Sequence, residues 1–164
     1  MDTRWQKFKV TGDYHVNMRA LYLAWATPAG LEKWFLRKAD FYTVPKRLRA
    51  ADEEVMKEDT YEWYWHGYNN SLVEKGAILE ANGNDLIKFT FAGNCIVTVR
   101  FSTTKGLTII DLIQENIPPE TDPEKNLFVQ CQLGWVFYLT NLKSVFEGGK
   151  DLRNKRVDLT SNFK

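Results

Sequence analysis

Residues 126–149 read NLFVQCQLGWVFYLTNLKSVFEGG, and the spacing of their apolar side chains predicts one long amphipathic helix. Phe128, Trp135 and Leu142 recur every seven residues. Cys131, Tyr138, Leu139, Val145 and Phe146 fill the same stripe at steps of three and four. Asn126, Thr140, Ser144 and Glu147 fall on the opposite side. Upstream, Asp122 is suited to cap the start with Pro123 in the first turn, and Gly148 with Gly149 ends the run. At 1.5 Å per residue such a helix is about 36 Å long, enough to cross a whole sheet. An apolar stripe of that length needs an apolar surface to cover.

The segments before it supply that surface. IPPETDPE (117–124) breaks the regular pattern, and the region before it is rich in strands. TYEWYWHG (60–67), EKGAILEAN (74–82), LIKFTF (86–91), CIVTVRF (95–101) and LTIIDLIQ (107–114) are runs suited to strands, with GND and STTKG as two of the turns. Short turns between successive strands make an antiparallel meander. Nearer the start, WQKFKVTGDYHV (5–16) reads as a first strand. NMRALYLAWA (17–26) is a helix capped by Asn17, and TPAGLEKWF (27–35) is a second, capped by Thr27 with Pro28 in its first turn. ADFYTV (39–44) is a further strand, and PKRLRAADEEVMKED (45–59) an exposed loop or weak hairpin. The order predicts an α+β domain. A curved antiparallel sheet wraps a long C-terminal helix, and two short helices near the N-terminus plug one end.

The 164 residues suit a single domain, 1–164, with its core at about 8–149 and a polar surface tail at 150–164. Lys plus Arg number 22 against 21 Asp plus Glu, a balance that argues against a nucleic-acid partner. Two local basic clusters, Lys46, Arg47 and Arg49, then Lys150, Arg153, Lys155 and Arg156, sit beside acids and read as solvated surface. Cys95 and Cys131 have no metal-like or redox spacing, so a reduced pair is expected. His15 and His66 stand 51 residues apart with no ligand cluster, so no metal or other cofactor is expected. No apolar run suits a membrane span and no leader pattern opens the chain, so the cytoplasm is the expected location.

Three stretches, LYLAWATPAGLEKWF, YEWYWHGY with EKGAILEA, and GWVFYLTNLKSVFEGG, resemble the START-like (SRPBCC) superfamily, in particular its activator of Hsp90 ATPase homologue branch. The resemblance covers roughly residues 8–149. It implies the helix-grip fold, a curved sheet around a long C-terminal helix. It also implies one of three activities: binding of lipids and other hydrophobic ligands, cyclisation chemistry, or assistance to the Hsp90 chaperone.

The aromatic octapeptide YEWYWHGY (61–68) marks the expected site, in a chain that is 14% aromatic with six Trp. With Tyr61, Trp63 and Trp65 turned inward, the rings either fill the core, frame a cavity or cage a methylammonium group. The expected lining of a pocket between sheet and helix is Trp63, Trp65, Phe89, Phe91, Val99, Trp135, Leu139 and Leu142, with Trp34 and Phe35 at its mouth. Tyr64 and His66 then face solvent or a neighbouring chain. Glu62 and His66 lie about 13 Å apart along a strand, too far for acid–base partnership. Asp111 and Glu115 read as outer-face residues, and no catalytic set stands out. The expected activity is non-enzymatic binding of a hydrophobic or amphipathic molecule, with a chaperone-interaction module as the alternative. Val129, Leu133, Val136 and Phe137, on another side of the long helix, form a candidate homodimer face.

Overall fold

The computed structural model describes residues 3–162. Seven strands, β1 (Phe8–Tyr14), β2 (Lys38–Tyr42), β3 (Thr60–Tyr64), β4 (Val73–Ala81), β5 (Leu86–Phe91), β6 (Cys95–Thr104) and β7 (Leu107–Glu115), pair antiparallel in the order β1-β7-β6-β5-β4-β3-β2. β2 to β7 follow one another as a meander. β1 returns beside β7, pairing Phe8 with Gln114 and Tyr14 with Thr108. A register shift between Ile78 and Glu80 on β4 marks a bulge, a device that bends a sheet.

Two short helices, α1 (Met18–Ala26) and α2 (Pro28–Trp34), follow β1. Asn17 Oδ1 accepts from Ala20 N at 2.8 Å and Thr27 Oγ1 from Gly30 N at 3.0 Å, so both caps fall where the sequence places them. Gly30 lets the backbone of α2 come close to that of α1. A Cβ there would stand 2.1 Å from the Leu23 carbonyl oxygen.

The third helix, α3 (Leu127–Phe146), lies over the concave face and buries Trp135, Leu139 and Leu142. Tyr14 donates from its hydroxyl to the Leu139 carbonyl at 3.0 Å and fastens α3 to β1. The helix starts later than its sequence suggests. Asn126 is the cap, its Oδ1 accepting from Phe128 N and Val129 N, while Asp122 closes a separate turn through Glu124 N and Lys125 N. A short-range bond satisfies Asp122 locally, and Pro123 sits in that turn rather than in the helix. The helix is thus 20 residues long, about 30 Å.

Two segments expected at the surface are anchored instead. In the loop after β2, the Arg49 guanidinium forms a two-point ion pair with the Asp59 carboxylate, their side chains 9% and 3% exposed. Val55 is buried, and its N–H bonds the Ala26 carbonyl. The tail likewise folds back. The Arg153 side chain, 5% exposed, donates to the carbonyls of Glu32, Lys33 and Leu36 at the end of α2 and to Asp151. Both arginines lie within three residues of solvent-facing lysines in sequence, and only tertiary contacts distinguish them.

Candidate ligand-binding site

The alternation of β3 turns Tyr61 and Trp63 into the core and leaves Glu62 and Tyr64 on the outer face. Trp63 stacks on Tyr61 with ring centroids 3.8 Å apart and meets Phe89 at 5.4 Å. Its indole N–H is buried without a hydrogen-bond partner among the described residues. Phe35 is the hub of the aromatic cluster, with Trp34, Trp65, Trp135 and Tyr138 all within 5.1 Å, centroid to centroid, and Trp63 at 5.6 Å. Trp34 is fully buried and donates from Nε1 to the Ala24 carbonyl at 2.9 Å.

Along one flank of α3 runs a groove in two parts. The inner hollow, about 150 Å³, is walled by Phe35, Trp65, Phe91, Cys131, Trp135 and Tyr138. The outer hollow, about 380 Å³, lies between α3, the turn after β3 and the folded-back tail, bordered by His66, Tyr68, Phe137, Tyr138, Leu152 and Arg153. Both share Gln130, Gly134 and Tyr138. Of the eight residues expected to line a pocket, Trp65, Phe91 and Trp135 border this groove. Trp63, Phe89, Val99, Leu139 and Leu142 belong to the packed core behind it.

His66 is half-buried on the groove wall, not turned to open solvent, because Gly67, with φ +84°, bends the chain directly after β3. Burial lowers its affinity for a proton, and Arg153, Lys155 and Arg37 lower it further against the opposing pull of Asp151. Burial also pushes the Tyr138 hydroxyl up to about 12 and the Cys131 thiol to about 11. Asp151 is itself partly desolvated. Hydrogen bonds from Arg153, Lys155 and Asn141 outweigh that burial and hold its carboxyl well below the usual range.

The tail owes its position to Asn141, a fully buried polar residue inside the apolar stripe of α3. It donates to the Trp34 carbonyl at 2.8 Å and to Asp151 at 3.1 Å, and accepts from Leu152 N at 2.7 Å. Gly134 shapes the groove itself. It lies mid-helix, and a Cβ built on it meets nothing within 4 Å. Periodicity alone does not flag Asn141, Arg153 or His66. The lone glycine inside an otherwise strong helix is the sequence signal for the groove.

Cys95 and Cys131 are both free thiols. Among the described residues no group of three or more His, Cys, Asp or Glu is placed to hold a metal ion, and no helix is long and apolar enough to cross a membrane. Val129, Leu133, Val136 and Phe137 are all exposed, Leu133 most at 66%. Leu133 and Phe137 border the groove.

A curved antiparallel sheet closed on one long C-terminal helix, with two short helices after the first strand, defines the helix-grip class of START-like proteins. Residues 15–147 match the Activator of Hsp90 ATPase homolog 1-like protein family, and the chain belongs to that family. Solved structures share the fold at low identity. A protein from Staphylococcus saprophyticus superposes with a TM-score of 0.70 at 16% identity, over 92% of this chain and 98% of that one. The Aha1 dimer from Colwellia psychrerythraea gives 0.67 at 17%, over 88% and 98%. An HSP90 activator from Plasmodium falciparum gives 0.58 at 20%, over 84% and 93%. Among curated proteins no sequence match is found.

Proposed function

We propose that the protein binds a small amphipathic molecule without covalent chemistry, in the groove between α3, the turn after β3 and the tail. The observation that carries this reading is Gly134. Glycine inside a helix costs about 1 kcal/mol relative to alanine. No neighbour crowds the position, so the absence of a side chain keeps the groove open and serves no packing need. The volume of the outer hollow, about 380 Å³, falls within the usual range for small-molecule sites, roughly 300–1,000 Å³. Trp65, Phe91 and Trp135 form the apolar floor. Covering about 200 Å² of apolar surface contributes about 5 kcal/mol, before the costs of association. The free thiols are in keeping with the reducing cytoplasm as the place of action.

Octanol, followed by calorimetry and by tryptophan emission, is the test probe. Saturable binding to the natural chain that disappears in Gly134→Leu supports the reading. Equal binding by both proteins, or none by the natural chain, counts against it.

A second reading is an interaction module for a chaperone or a second copy of the chain. The exposed row Val129, Leu133 and Val136 favours it. Light scattering that finds only monomer at high concentration removes the second copy. Failure to retain purified Hsp90 removes the chaperone.

A further inference from the structure

The two ends of the groove differ in chemistry. The inner end is ring surface from Phe35, Trp65, Phe91 and Trp135. The outer end carries the His66 ring and the hydroxyls of Tyr68 and Tyr138, none of which makes a hydrogen bond among the described residues. Each can donate one. The charges facing His66 are Arg37 from the segment after α2, Arg153 and Lys155 from the tail, and a single opposing carboxylate, Asp151. The arginines are committed elsewhere. Arg37 donates to the Trp65 carbonyl and to Asn70, and Arg153 to three carbonyls and Asp151. They supply a positive field, while His66, Tyr68 and Tyr138 keep donors to spare. Idle donors in a positive, partly desolvated recess are complementary to an anion and repel an ammonium group.

We propose that the molecule held in the groove is an amphipathic carboxylate, its charged end at His66, Tyr68 and Tyr138 and its apolar body against Phe35, Trp65 and Phe91. This rests on the binding reading above and adds the chemical class and orientation of the occupant. A consequence follows for protons. In the empty groove, burial and the neighbouring cations favour neutral imidazole. A carboxylate placed beside His66 favours imidazolium, so binding takes up a proton. Affinity then rises as pH falls from about 8 to about 6, a range in which an ordinary carboxylic acid stays ionised. Burial keeps the Tyr138 hydroxyl a protonated donor throughout.

Octanoate, octanol and octylammonium share one apolar body and differ only at the head. Calorimetry of the natural chain with each, at both ends of that pH range and in two buffers of different ionisation enthalpy, separates the possibilities. The expected result is octanoate tighter than octanol by about tenfold, octylammonium weakest, and proton uptake on octanoate binding that is lost in His66→Gln. Octanol binding as tightly as octanoate overturns the carboxylate assignment and leaves groove binding standing. No binding by any of the three overturns both. A preference for octanoate that survives Gly134→Leu places the anion elsewhere and also overturns the assignment.

Discussion

Trp135 on α3 donates from its indole nitrogen to Gln114 Oε1 on β7 at 2.8 Å, and both side chains are buried. This bond crosses from helix to sheet at the centre of the core. Among the described residues the Gln114 amide nitrogen has no hydrogen-bond partner of its own, so Trp135 accounts for the paired half of this side chain. Trp135→Phe leaves the carbonyl oxygen unpaired too and opens a gap. Chemical denaturation should show a loss of about 2–4 kcal/mol. Combining it with Gln114→Leu should recover part of that, because two apolar groups replace two stranded polar ones.

Asp59→Asn leaves Arg49 buried with a weakened partner. Loss of one member of a buried pair costs about 3–5 kcal/mol, and Asp59 also accepts from Met56 N at 2.9 Å. The expected outcome is a lower unfolding midpoint. A change under 1 kcal/mol would show that the pair is solvated in solution.

Gly134→Ala should stabilise the protein by up to about 1 kcal/mol, since the added methyl meets open space and the helix gains propensity. Thermal unfolding is the direct measurement. An unchanged or lower midpoint would mean that the glycine answers to some other constraint.

The tail should loosen in acid. The Asp151 carboxyl lies below its ordinary value of 3.8, so its contribution is complete above about pH 4 and is lost as pH falls through the lower, folded value. Amide exchange at Leu152 and Arg153 should accelerate there before the core opens. Asp151→Asn should produce the looser tail at neutral pH.

Cys131 should resist alkylation. With its thiol raised to about 11, roughly one molecule in ten thousand is thiolate at pH 7. Iodoacetamide should label it far more slowly than a free thiol compound, and denaturant should restore the ordinary rate.

Most of the architecture was legible because it rests on local periodicity. The seven-residue spacing of Phe128, Trp135 and Leu142, the caps at Asn17 and Thr27, and the inward alternation of Tyr61 and Trp63 all survive in the structure. What escaped was set by residues distant in sequence. Arg49 and Arg153 differ from neighbouring surface cations only because Asp59 and the carbonyls at the end of α2 come to meet them. The groove escaped for a related reason. Identical ring types fill the core at Trp63 and Phe89 and wall a hollow at Trp65 and Phe91, and only where each ring falls along the sheet relative to α3 separates the two, which periodicity does not record.

Trp25 lies with its ring centroid 4.7 Å from that of Trp34 and 5.9 Å from that of Trp135. Indoles so close can pass excitation to one another before they emit, so the emission of the three is coupled. Whatever settles against Trp135 therefore dims or shifts the emission of its companions as well. On the groove binding proposed above, the chain would carry a built-in optical gauge of occupancy that needs no added dye.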